Sequence, residues 1–166
     1  MVEINVDRGE IRRMLLAEST NAARTLVRSD GVSEFENVVI DEQADSSLTG
    51  AWRQANAKLT EKMKRFVVDS ELSDENAGYV LSVSGVMLED NIKGYIVNYM
   101  MQDWMAGVRP DMRQSYVETA NFELDDLLRK LYTKHAPYED YDPDEGGGRT
   151  DHIEPISEED IDIITS

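Results

Sequence analysis

A chain of 166 residues, 40% hydrophobic and 31% charged, is most simply one soluble domain. It is long enough to bury roughly two-thirds of the surface its unfolded form exposes. The chain has no cysteine and a formal charge of −17, which excludes disulfides and thiolate metal sites and argues against binding a phosphate backbone.

The surplus charge is unevenly placed. From His135 to Ser166 there are 11 acids against Arg149 alone, so the last 32 residues carry −10 of the −17. The remainder is only mildly acidic, and direct, sequence-specific nucleic-acid binding is not expected of it. No run approaches the ~20 apolar residues that span a bilayer, and MVEINVDRGEIRRM lacks the apolar core of a secretion signal.

In chain order, Asp7 followed by Glu10 resembles a capping box, and Ile11, Leu15, Ala22 and Leu26 recur at helical spacing. A first helix is predicted from about Arg8 to Arg28. SDGVSE breaks it, and ENVVIDE reads as a strand or extended connector. Asp45-Ser-Ser offers caps for a second helix, with Leu48, Ala51, Trp52, Ala55, Leu59, Met63, Phe66 and Val67 along one stripe. SELSDENAG is a polar break, and YVLSVSG alternates like a strand or an extended lead-in. A third helix is predicted over Leu88 to Ala106, stopped by Gly107. A fourth, from Pro110 to about Lys134, has Tyr116, Ala120, Leu124, Leu127, Leu128 and Leu131 as its stripe.

These elements predict a mainly α fold: a small bundle of about four helices with one or two short extended segments, over residues 1–136. Residues 137–166 are predicted to form a separate acidic, disordered or docking C-terminal tail. Ile153, Ile156, Ile161, Ile163 and Ile164 at its end are too many isoleucines for a solubility tail. They suggest a docking segment that adds a strand to a partner's sheet edge, with packing back on the same molecule as the alternative.

The stretch IKGYIVNYMMQDWMAG in the third helix is apolar on two lines. Ile92, Ile96, Tyr99 and Tyr95 form one, and Val97, Met101, Trp104 and Val108 the other. Such a helix is either the buried centre of a bundle or is covered by a second subunit as well. Tyr95, Val97, Tyr99, Met100, Met101 and Trp104 are the candidates for an oligomer or partner interface.

A chemical site is not legible. His135 and His152 have no second histidine at ligand spacing, so no metal site is expected. DYDPDEGGGRTD alternates acids like a calcium loop but places Glu145 where the turn needs Gly and Asp151 where the bidentate Glu belongs. No phosphate loop follows a strand, and no nucleophile elbow exists. Neither catalytic residues nor a cofactor are assigned, and an enzyme is not expected.

The order of extended segment (Tyr79–Ser84), aromatic-rich helix (IKGYIVNYMMQDWM) and regular Leu-rich helix (SYVETANFELDDLLRKLY) resembles small virion proteins of phages and prophages. It is also similar to the helical head–tail connector (adaptor) proteins of tailed phages, over Tyr79 to Tyr132. The resemblance implies a structural virion protein, made in the host cytoplasm. It would assemble as a homo-oligomeric ring between portal and tail proteins, with a terminal extension reaching a neighbour and no membrane partner. An acidic mimic of DNA, inhibiting a DNA-binding enzyme, is the rival from another class. A non-viral helical adaptor is a third.

Overall fold

The computed structural model describes residues 1–24, 38–83 and 87–133, all within one compact unit, Met1–Ala136. The fold is mainly α with a small three-stranded sheet. The N-terminal strand β1 (Val2–Asp7) alternates in burial: Ile4 and Val6 face the core, while Glu3, Asn5 and Asp7 face outward. Asp7 ends it and starts α1 (Arg8–Arg24) by accepting the Glu10 backbone N–H at 2.8 Å, as the capping pattern predicts. Helix α1 buries Ile11, Leu15, Ser19, Ala22 and Ala23. Leu26 and the predicted end at Arg28 lie outside the described residues.

Of the strand or extended connector expected over ENVVIDE, the described part, 38–41, contains no strand. Val38 and Ile40 are buried, but side chains take their backbone groups instead of a neighbouring strand. Trp104 donates its indole N–H to the Val38 carbonyl, and the Ile40 N–H goes to Ser19 Oγ. Two helices follow, α2 (Glu42–Ser47) and α3 (Thr49–Lys62). Asp41 caps α2, its carboxylate accepting the Ala44 N–H; α3, which answers to the predicted second helix, has Leu48 at its N-cap and no side-chain cap, and the predicted caps Asp45-Ser-Ser lie within α2.

The predicted second helix also ends earlier than its stripe. Met63 to Phe66 form a turn, with the Phe66 N–H bonded to the Met63 carbonyl. Val67 then opens β2 (Val67–Leu72), where the sequence reads as helix end and polar break. The turn keeps Met63 and Phe66 on the core side, so the helical periodicity outlives the helix. Strand β2 is hidden because its burial pattern is almost wholly exposed, leaving no apolar alternation to detect.

A hairpin joins β2 to β3 (Asn76–Leu81). Ser73 Oγ accepts the N–H groups of Glu75 and Asn76 and closes the turn. The sheet is antiparallel in the order β1-β3-β2, with Ile4 opposite Tyr79 and Val6 opposite Ala77. A β-bulge near Val68 shifts the β2–β3 register between Val67 and Asp69.

Helix α4 (Glu89–Val108) passes through Gly107, which the sequence suggests as its stop. Pro110 is the first residue of α5 (Pro110–Thr133), where its missing N–H costs nothing. Helix α5 lies antiparallel along α4 and buries Tyr116, Ala120, Leu127 and Leu131. The inner sheet face, α1, α3 and α5 together leave α4 at the centre of the core.

Candidate interaction surfaces

The burial of α4 explains its composition. Ile92, Ile96, Tyr95, Val97, Met100, Met101 and Met105 are all buried. At 100° per residue they point to every side of the helix. Of the six interface candidates, Tyr95, Val97, Met100 and Met101 are thus covered by this chain's own elements. Tyr99 and Trp104 are half-buried, so a partner approaching α4 meets only these two. Tyr99 already carries Lys58 over its ring at 4.7 Å and a 3.3 Å bond to Gln54. Ile153, Ile156, Ile161, Ile163 and Ile164, both histidines and the calcium-like stretch lie outside the described residues.

Polar groups inside the fold are matched to one another. Tyr79 donates its hydroxyl to Asn56 Oδ1, and Asn56 Nδ2 donates to the Trp52 carbonyl. Arg8, 2% exposed, reaches the Asp74 carbonyl and Thr49 Oγ1 with its guanidinium and lies over the Trp52 ring. Trp52 itself donates to the Ser73 carbonyl. These contacts pin the β2–β3 turn to the starts of α1 and α3, and Arg53 paired with Asp74 closes the rim.

At the N-terminal end of α4, Lys93 bridges Glu10 at 2.8 Å and Glu89 at 2.5 Å. Hydrogen bonds to those carboxylates hold its ammonium above the usual lysine range. On the α5 side, Asn91 Nδ2 donates to Glu123 and Asp126, and Lys130 donates to Asn91 Oδ1. Lys130, then Arg129, then Asn91 hold the Asp126 carboxyl down at about 2. These contacts tie α4 to α1 through Glu10 and to α5 through Glu123, Asp126 and Lys130.

Among the described residues, two open surfaces bear on partners. A groove of about 370 Å³ between α1, α4 and α5 is lined by Met14, Glu18, Gly94, Asn98, Met112 and Tyr116. Tyr116 bonds Glu18 at 3.3 Å across it. The second surface is the outer face of the sheet, where no described helix packs. Glu3, Val80 and Asp69 form one cross-strand row, and Asn5, Gly78 and Glu71 the next. Gly78 has no side chain, so the centre of that row is a hollow of about 360 Å³ rimmed by Glu3, Asp69 and Glu71. No Lys or Arg occurs in 1–7 or 67–81.

Sequence reasoning missed this face. The signal was present in VEINVD, whose polar residues alternate, and is weak in VVDSEL because β2 is exposed on both sides. Among the described residues, no group of three or more His, Cys, Asp or Glu could hold a metal ion. No described helix is long and apolar enough to cross a membrane. Comparison of the chain with models of known families, with curated proteins and with solved structures finds no match.

Proposed function

We propose that this chain is a structural, non-enzymatic virion component, a head–tail connector that assembles as a homo-oligomeric ring between portal and tail proteins. The observation that supports it most is the one-sided packing of α5. That helix lies in the stretch Tyr79–Tyr132 that resembles connector proteins. It buries one face on α4 but leaves Phe122 66% and Tyr132 51% exposed. Apolar aromatic surface on the outside of a helical hairpin is what a neighbouring copy would cover.

The test uses the full chain and a version ending at Pro137 as baits in a native lysate at moderate salt. Retention of a portal or tail protein, with rings visible by electron microscopy, is the expected result. Phe122→Glu should prevent ring formation while leaving thermal stability almost unchanged, since exposed substitutions cost within about 0.5 kcal/mol.

One observation favours a second reading, the acidic DNA mimic: carboxylates on a rigid element, at Glu3, Asp69 and Glu71 of the open sheet face. Capture of a nuclease or other DNA-binding enzyme, released by salt or by DNA, would replace the ring with that reading.

A further inference from the structure

We propose that the free edge of β2 is a docking strand for an extended, Lys- or Arg-bearing segment of another protein. Among the described residues the sheet order β1-β3-β2 leaves two edges, and they differ. Beneath β1, Ile4 and Val6 are buried by the helices. Beneath β2 the cover stops short. Tyr79 and Ala77 of β3 are buried, yet their inward-facing partners on β2, Ser70 and Leu72, are exposed. Val68, in the bulge, is 60% exposed and Leu72 45%. An open backbone edge and uncovered apolar surface therefore coincide at one strand.

The backbone parity is readable from the turn. The Ser73 N–H bonds the Asn76 carbonyl, so by antiparallel alternation the N–H and C=O groups of Leu72 and Ser70 point away from β3. The Ser70 N–H is turned onto its neighbour Asp69 Oδ1 at 2.9 Å, an exposed contact that an incoming carbonyl can replace. Leu72 is left as a donor and both carbonyls as acceptors for an added strand.

Charge selects the occupant. Asp69 and Glu71 point to the outer face, and directly opposed residues of an antiparallel pair share a face. A second copy pairing β2 with β2 about a two-fold axis, with both acids overlapped, sets carboxylate against carboxylate. The chain's own isoleucine end fares no better, because Ile161, Ile163 and Ile164 are interleaved with or follow Glu158, Glu159, Asp160 and Asp162. A strand with basic residues at alternate positions places them against Asp69 and Glu71. Its intervening apolar residues then lie over Leu72. Lys64 and Arg65 precede β2, so the complementary basic stretch is short, about four residues opposite Asp69 to Leu72.

The probe is a capped, fluorescent eight-residue peptide alternating Lys with Val or Thr, titrated against the full-length chain. Its mirror is the same peptide with Glu for Lys. The Lys peptide should bind and protect the Leu72 amide from hydrogen exchange. Asp69→Asn with Glu71→Gln should weaken it about tenfold, and both exposed substitutions keep the size of the side chain. N-methylation of the peptide amides that face β2 should abolish binding, whereas methylation of the alternate amides should not. Equal binding of the Glu peptide, indifference to the position of methylation, or no binding of the Lys peptide would overturn the proposal. So would concentration-dependent protection of Leu72 in the chain alone, which assigns the edge to a second copy. Binding there of a peptide covering 153–166 would equally overturn it, by assigning the edge to the tail.

Discussion

Tyr79 shows how much a single buried hydroxyl is committed. It is 2% exposed and donates to Asn56 Oδ1, so Tyr79→Phe strands a buried acceptor and should cost about 1–3 kcal/mol. Urea unfolding would show a lower midpoint at unchanged slope. Burial raises the phenol pKa values of Tyr79, Tyr95 and Tyr116, the last two to about 12, with Tyr99 and Glu18 adding to the shifts of Tyr95 and Tyr116. The unfolded chain loses these protons near about pH 10 and the folded chain does not. Stability from these groups is therefore complete below about pH 10 and falls as pH rises toward 12. Absorbance at alkaline pH should show part of the tyrosine signal appearing only together with unfolding.

Asp126 has the opposite sign. Its folded pKa of about 2 lies below the unfolded value of about 3.9. Its contribution is present above about pH 4 and is lost as pH falls from 4 toward 2. Asp126→Asn should flatten the acid limb of stability measured by urea midpoints between about pH 5 and pH 2.

The elements carry their own tests through two glycines in α4. A Cβ at Gly107 would meet nothing within 4 Å, and the helix continues through it. Gly107→Ala should therefore stabilise by about 0.5–1 kcal/mol, the helix-propensity difference, seen as a raised thermal midpoint. Gly94 is different. A Cβ there would lie 3.1 Å from Glu123 Cδ, and Glu123 is tied to Asn91 at 2.8 Å. Gly94→Ala should lose about 1 kcal/mol despite its better propensity. In a Glu123→Ala background the same substitution should stabilise, a change of sign that a double-mutant cycle measures.

The elements also show where periodicity informs and where it misleads. α4 and α5 were legible to within two residues because long amphipathic or fully apolar stretches meet clear boundaries in Glu89 and Pro110. VEINVD alternates, yet the capping signal at Asp7 begins at the last residue of β1 and masks the strand. β2 was unreadable for a physical reason: an edge strand exposed on both sides needs no apolar residues, so VVDSEL looks like the end of a helix. The helical stripe through Phe66 compounded this, because a tight turn holds Met63 and Phe66 toward the same core.

On the scale of the whole molecule, the central position of α4 predicts a steep cost for truncating it. Ile96 and Met101 are 0% exposed, and replacing either by Ala should lose about 2–5 kcal/mol, against almost nothing for Phe122→Glu on the outside of α5. All described residues lie in the unit Met1–Ala136. A chain ending at Pro137 is therefore expected to melt cooperatively, close to the full chain.

The mainly helical class, the two long C-terminal helices and the acidic bias were determined by sequence alone. Each is a local or summed property, set by spacing, caps and charge. The double apolar pattern of α4 was equally visible, but whether it meant a core or an interface was not, because both bury the same side chains. Only the tertiary structure shows that Tyr95, Val97, Met100 and Met101 are buried within this chain, among α1, α3, α5 and the sheet. The outer face of the sheet was decided the same way. Glu3 stands some 66 residues or more from Asp69 and Glu71 in the chain and shares their face only because β3 pairs with both β1 and β2. That long-range register, dependent on where the helices stop covering the strands, leaves no trace in any single stretch of sequence.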